Sequence, residues 1–240
     1  MIVVAIESAT ELVGVAVADE EGPRACVWVT GRRRHAESLA PALSHVLDQS
    51  GVGLRDLAAV AVDVGPGLFT GLRVGVATAK GLAQGLGVGV VGVTSCEVLA
   101  AGAYAGGWPG PVAAVVDARR GEVFAGWYAR GQDGAPLETA PPARRTPEEL
   151  AADVEASGAP VLVVGDGARR YADLLSPMAG ATLAGPSLDG PRPEVLAALA
   201  LGRLSAGEAA VPAAEVRPVY LREPDVRINW VQRAGPLHAG

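Results

Sequence analysis

The sequence predicts an α/β protein of two duplicated lobes, each a mixed sheet covered by helices. Three observations carry this. The chain has 240 residues, half of them apolar, enough to bury a substantial core in one large domain or two compact ones. Apolar, β-branched runs alternate with stretches of helical periodicity, the pattern of sheets flanked by helices. The scheme also recurs: an apolar run over residues 2–6 stops at Glu7, another over 112–116 stops at Asp117, and each leads through a polar turn to a returning apolar run.

Taken in order, residues 2–6, 12–18 and 25–30 read as an antiparallel meander, with the polar Glu7-Ser8-Ala9-Thr10-Glu11 and the Gly22-Pro23 pair as turns. Leu39, Ala42, Leu43, Val46 and Leu47 fall at helical spacing over 35–49, and Gly51 suits the stop. The unbroken apolar run of 57–64 fits a strand buried on both faces, running straight into Gly65-Pro66-Gly67. A helix is predicted over 70–84 with Thr70 as its cap, then a strand over 88–93. The second half repeats this with strands at 112–116, 122–128 and 161–164, the last ending in Gly165-Asp166-Gly167, and a helix at 147–157. Residues 193–206 carry a further helix pattern, 216–222 an extended segment between prolines, and 225–240 a loosely ordered tail. These set the expected domains as 1–105 and 106–222, with the 193–206 helix an option for packing back on the first, and a tail over 223–240.

Composition excludes several functions. Glycines interrupt every long apolar stretch, as in Gly85-Leu86-Gly87-Val88-Gly89, so none nears the ~20 residues of a membrane span. The first residues lack a basic region before the apolar run, unlike a secretory signal. Cys26 and Cys96 are too few and too distant for a disulfide framework or a zinc pattern and are expected as free thiols in a cytoplasmic protein. A net charge of −6 and only 4% aromatic residues argue against the chain being the main reader of a nucleic acid. Arg32, Arg33 and Arg34 form the visible basic cluster, either a solvated loop or a phosphate contact.

Chemistry points first to Gly65-Pro66-Gly67-Leu68-Phe69-Thr70-Gly71-Leu72-Arg73-Val74-Gly75. Glycines between a buried strand and a helix serve either a structural turn or a backbone cradle for an anion. The string matches neither the Walker pattern nor the dinucleotide fingerprint. Glu7 and Asp117, at strand ends, are either an acid/base pair or carboxylates bonded to turn amides.

As a whole, that glycine-rich string resembles the signature of the TsaB (YeaZ) family. Ala5-Ile6-Glu7-Ser8-Ala9-Thr10, His35-Ala36-Glu37-Ser38-Leu39-Ala40-Pro41, Val116-Asp117-Ala118-Arg119-Arg120-Gly121-Glu122-Val123-Phe124 and Pro218-Val219-Tyr220-Leu221-Arg222 support it. Glu7 stands where many relatives have aspartate. The resemblance implies an actin-like fold of the acetate and sugar kinase (ASKHA) class, in which the turns after the first strand of each lobe hold nucleotide phosphates and metal. Carried over, the vestigial phosphate turns are Glu7, Ser8 and Thr10; Gly65, Gly67 and Thr70; Asp117; and an adenosine loop at Gly165 and Gly167. Arginines in the second turn, where small or hydroxyl residues are expected, imply no ATP hydrolysis and at most weak, vestigial ATP or ADP binding. The catalytic paralogue TsaD carries His-x-x-x-His where this chain has Ser95 and Leu99, and His35, His45 and His238 do not rebuild that pair, so no metal ligand set and no catalytic residue is expected.

The helices at 36–49 and 70–84 bear small and apolar residues that pack either on their own sheet or on a partner. The resemblance implies the second: a TsaD homologue, or a second copy in a homodimer, docked on Leu39, Ala40, Leu43, Leu72, Arg73, Val76 and Ala77. TsaE, an ATPase, completes the implied machinery, which forms N6-threonylcarbamoyladenosine in tRNA, with tRNA reached indirectly through the complex and Arg32, Arg33, Arg34 and Arg73 as candidate charge contacts. The alternative is a stand-alone nucleotide-dependent kinase of the same fold; a metallopeptidase would be a third.

Overall fold

The computed structural model describes residues 1–31 and 35–222; Arg32, Arg33 and Arg34, His238 and the tail expected over 223–240 lie outside the described residues. The meander is present as β1 (Ile2–Glu7), β2 (Leu12–Asp19) and β3 (Gly22–Thr30), paired antiparallel. After α1 (His35–Ser50), β4 (Ala59–Gly65) pairs parallel with β1, and after α2 (Phe69–Leu86), β5 (Gly89–Thr94) pairs parallel with β4. The sheet order is β3-β2-β1-β4-β5. All of β4 is buried, as the apolar run that makes up most of it requires of a strand covered on both faces.

Helix α3 (Ser95–Ala105) leads to β6 (Val112–Arg119), β7 (Glu122–Arg130) and β8 (Pro136–Arg145), then α4 (Pro147–Ala156), β9 (Val161–Val164), the short α5 (Asp166–Arg170) and α6 (Ala172–Leu175), β10 (Ala181–Leu183) and α7 (Pro193–Ser205). The second sheet, read from its β8 edge, runs β8-β7-β6-β9-β10. Its pairings are antiparallel, antiparallel, parallel, parallel, strand for strand those of the first sheet. Two lobes of one topology are the actin-like α/β arrangement.

Two helices exchange sides. Leu196, Ala197 and Ala200 of α7, after the second sheet in sequence, bury against Val3, Ala5 and Ala61 of the first. Conversely α3, on the N-terminal side of the boundary expected at 105, buries Cys96, Leu99, Ala103 and Tyr104 against Val112, Ala114, Phe124 and Tyr128 of the second sheet, and the Tyr104 hydroxyl donates to the Tyr128 carbonyl at 2.9 Å. Val98 of α3 faces the α7 cluster instead. A helix buried on most of its circumference has no polar stripe, so its pattern does not reveal which sheet it joins.

Local departures have local causes. Helix α2 begins at Phe69 with Leu68 as N-cap and no side-chain cap; Thr70, expected as the cap, lies inside the first turn. The Leu68 N–H is bonded to the Ala9 carbonyl at 2.7 Å, which carries the chain into the helix earlier. Strand β8 escapes sequence reading because Pro136, Pro141 and Pro142 fall within it; it is an edge strand, where a missing N–H is tolerated. Residues 216–222 form no strand but a strap: Val219 N–H donates to the Val64 carbonyl at 2.7 Å and Lys80 Nζ to that of Val216 at 3.2 Å. Just before it, Val211 bridges Val90 in both directions and covers part of the β5 edge.

Helix α4 starts with a reciprocal cap, Glu149 N–H to Thr146 Oγ1 at 3.1 Å and Thr146 N–H to Glu149 Oε2 at 2.8 Å. Thr146→Ala is therefore expected to lower stability by about 1 kcal/mol, read as a lower urea midpoint at unchanged slope.

Candidate functional site

The two strand-end turns meet at the lobe junction. In the first, Ala9 N–H donates to Glu7 Oε1 at 2.8 Å, Leu12 N–H to Thr10 Oγ1 at 3.2 Å, and Ser8 Oγ to the Gly71 carbonyl at 2.9 Å. His35 Nε2 lies 2.8 Å from the Thr10 carbonyl. The glycine-rich string explains this closeness. A Cβ on Gly67 would stand 2.1 Å from the Ala9 carbonyl oxygen, one on Gly71 2.1 Å from that of Ser8, and one on Gly75 2.1 Å from Ser8 Oγ. Backbone of α2 thus occupies the space over the first turn. Gly65, at φ 103°, lies against Leu72 and the Val219 carbonyl of the strap.

In the second turn, Asp117 is buried; its N–H donates to Asp166 Oδ1 at 2.8 Å, and its Oδ1 accepts from Arg119 N–H at 2.9 Å. Gly165 and Gly167 are packing residues: their Cβ atoms would fall 2.1 Å from the Val115 carbonyl oxygen and 2.7 Å from Val115 Cγ1. The adenosine loop expected there is pressed on β6 through these two glycines. Burial pushes the Asp166 carboxyl up to about 6, against the opposing hydrogen bond from the Asp117 N–H.

A third group gives little sign of itself in the sequence. Asp63, near the end of β4, is fully buried with Glu7. Its Oδ1 accepts from Gly65 N–H and Ser95 Oγ, both at 2.7 Å, while Glu7 Oε2 and Asp63 Oδ2 have no protein donor. A proton shared between the two carboxyls would satisfy both oxygens. Burial raises both: Asp63 to about 6, and Glu7 well above the usual carboxylate range, with the Asp63 charge adding to it. The one sequence signal is an acid inside an apolar run. Ser95 is thus committed to Asp63, and Leu99 to the core. Among the described residues no three His, Cys, Asp or Glu side chains are grouped to hold a metal ion.

Glu7 and Asp117 do not form one acid/base pair: Glu7 is joined to Asp63, Asp117 to the Arg119 backbone and the Arg119 and Arg170 side chains, the latter at 3.0 and 3.4 Å. A cavity of about 650 Å³ opens beside the junction, lined by Glu11, His35, Ala36, Phe69, Thr70, Val74 and Arg119 among others.

Comparison with known proteins decides the family. The sequence model described as "TsaD: tRNA N6-adenosine threonylcarbamoyltransferase" matches residues 29–170. The Escherichia coli K12 protein named tRNA threonylcarbamoyladenosine biosynthesis protein TsaB is 31% identical over 235 residues, 98% of this chain and 99% of that one. The chain belongs to the TsaB family. The Bacillus subtilis protein of the same name is 27% identical over 97% of this chain and 99% of its own length. A solved structure of YeaZ from Pseudomonas aeruginosa superposes with a TM-score of 0.79 at 32% identity, covering 92% of this chain and 99% of that one. Another Pseudomonas aeruginosa structure, described as an uncharacterized protein with similarity to peptidase YEAZ, gives 0.81 at 33%, with the same coverage.

The face expected to dock a partner on this TsaB-family chain needs correction. Leu39, Leu72 and Val76 are 2%, 1% and 4% exposed; Leu39 and Val76 belong to the core between the helices and the first sheet, and Leu72 closes on Gly65. An amphipathic helix presents its largest apolar side chains to its own sheet first, so these three cannot be contacts. What α1 and α2 leave outside is Ala40, Arg73 and Ala77, with Leu43 half-buried. Beside them, the Arg73 guanidinium sits 3.9 Å over the Phe69 ring and donates from Nε to the Tyr220 hydroxyl at 3.3 Å. No helix among the described residues is long and apolar enough to cross a membrane.

Proposed function

We propose that this chain is a non-catalytic subunit of the machinery that forms N6-threonylcarbamoyladenosine in tRNA, docking a TsaD homologue through the outer face of α1 and α2 and working with TsaE. One observation carries the non-catalytic reading: protein groups occupy both turns where this fold would seat nucleotide phosphates. The first lies under the α2 backbone, the second is bridged by Arg119, and a phosphate needs free backbone donors and room. The partner reading rests on the names of the relatives and on the cluster of Phe69, Arg73 and Tyr220, aromatic and arginine side chains of the types favoured at contact surfaces, on a helix that also leaves the small Ala77 exposed. No nucleotide of its own is required in this role; tRNA is reached through the complex, and a homodimer would use the same face.

Reconstitution tests it. Purified chain added to a TsaD homologue, TsaE, threonylcarbamoyl adenylate and tRNA is expected to raise modified adenosine at least severalfold, while the chain alone produces none and transfers no phosphate from ATP. Modification at the same rate without the chain, or nucleotide-saturable phosphotransfer by the chain alone, contradicts the proposal.

A further inference from the structure

The β6–β7 connection is a two-residue turn, Arg120-Gly121, between the paired Arg119 and Glu122. Arg120 and Gly121 have φ of 57° and 81°, as a type I′ turn needs. Arg119, before the turn, is also left-handed, at φ 62°. That conformation disfavours any side chain with a Cβ, and here it accompanies a bulge just before the turn. The register slips between Asp117 and Arg119, so the extra residue re-aims the Arg119 side chain.

It is aimed across the lobe junction. Arg119 Nη2 donates to Glu11 Oε1 of the first lobe's turn at 2.8 Å, and Nη1 lies 3.0 Å from Asp117 Oδ2 of its own strand. Its N–H holds the same Asp117 through Oδ1. The neighbouring strap makes a parallel tie: Arg222, past the residues fixed on β4 and α2, donates from Nη1 to the Ala118 carbonyl at 2.9 Å and pairs with Glu122. From this geometry we infer that Arg119 is a latch: it holds the two lobes together by bridging the turns at Glu11 and Asp117. The left-handed backbone is what turns the guanidinium back over Asp117 toward Glu11, which accounts for an arginine at a position that favours glycine or asparagine. A half-exposed ion pair alone contributes little; here the fork spans two carboxylates from different lobes, one already fixed by the arginine's own backbone. The inference stands apart from the docking face and holds whether or not a TsaD homologue binds there.

The test is the distribution of distances between spin labels on Asp48→Cys of α1 and Glu155→Cys of α4, both exposed, in a Cys26→Ser background. The parent is expected to give one narrow distribution. Arg119→Gly, which removes the guanidinium and relieves the backbone, and Glu11→Gln, which keeps the shape and loses the charge, are each expected to broaden it and add longer distances. The double variant should be no broader than either alone, because both break one contact. Narrow, unshifted distributions in Arg119→Gly or in Glu11→Gln overturn the latch. Should Arg119→Gly fail to fold, Glu11→Gln decides alone.

Discussion

Gly71→Ala is expected to destabilise the protein by about 3 kcal/mol or more, the top of the range for overpacking. The added Cβ would stand 2.1 Å from the Ser8 carbonyl oxygen and 3.1 Å from the His35 ring. Neither yields easily: Ser8 is held by its hydroxyl on the Gly71 carbonyl, and His35 by the Thr10 carbonyl. With roughly 2–4 °C of melting temperature per kcal/mol for a chain of this size, calorimetry should show a drop of at least about 6–12 °C. Gly85→Ala, in the same helix with nothing within 4 Å of the new Cβ, is the control and should stabilise by about 0.5–1 kcal/mol. Equal effects at the two positions would mean that α2 does not press on the first turn.

The second large effect is a dependence on pH. Asp63 and Glu7 both have carboxyls raised above their ordinary values by burial, so the fold favours their protonated forms. That contribution is complete below about pH 4, where both are also protonated in the unfolded chain, and is lost as pH rises through about 6 for Asp63 and on through the higher range in which Glu7 gives up the shared proton. Each tenfold change in proton affinity on folding is worth about 1.4 kcal/mol, so stability should fall steadily from about pH 5 to about pH 9. Glu7→Gln replaces the shared proton with a permanent amide donor toward Asp63 and keeps an acceptor for Ala9 N–H. Its stability should be nearly flat above pH 6 and exceed that of the parent at pH 9, as urea midpoints at matched pH would show. Parallel pH profiles for the two proteins would mean that no proton is shared.

Much of this was legible in the sequence, for identifiable reasons. The meander, β4 and both N-lobe helices carry clean periodicities with turn residues between them, and the two carboxylate-ended strands announced the duplication. What escaped depends on contacts distant in sequence. Leu39, Leu72 and Val76 are apolar at helical spacing whether they face a sheet or a partner, and only the folded first sheet shows that they are buried. The glycines at 67, 71 and 75 read as a turn or a cradle, and those at 165 and 167 as an adenosine loop; the atoms they approach, on Ala9, Ser8 and Val115, show what the sequence could not, that each is also a site of close packing. Asp63 was hidden because one acid in an apolar run looks like the strand's end, and its partners Glu7 and Ser95 lie 56 residues before and 32 after it. Strand β8 was lost to its prolines, and α3 to its lack of a polar face.

The outer face of α1 and α2 is expected to dock a TsaD homologue. The most direct measurement is light scattering after size exclusion of this chain mixed with the TsaD homologue of the same cell, using the parent, Ala40→Glu and Ala77→Glu. These alanines are exposed, so the variants should melt within a few tenths of a kcal/mol of the parent, which Leu39 or Val76 substitutions would not. The account requires a mixed species with the parent at micromolar concentration and its loss in either variant. A complex that survives both substitutions, or none forming with the parent even with ATP and TsaE present, would contradict it.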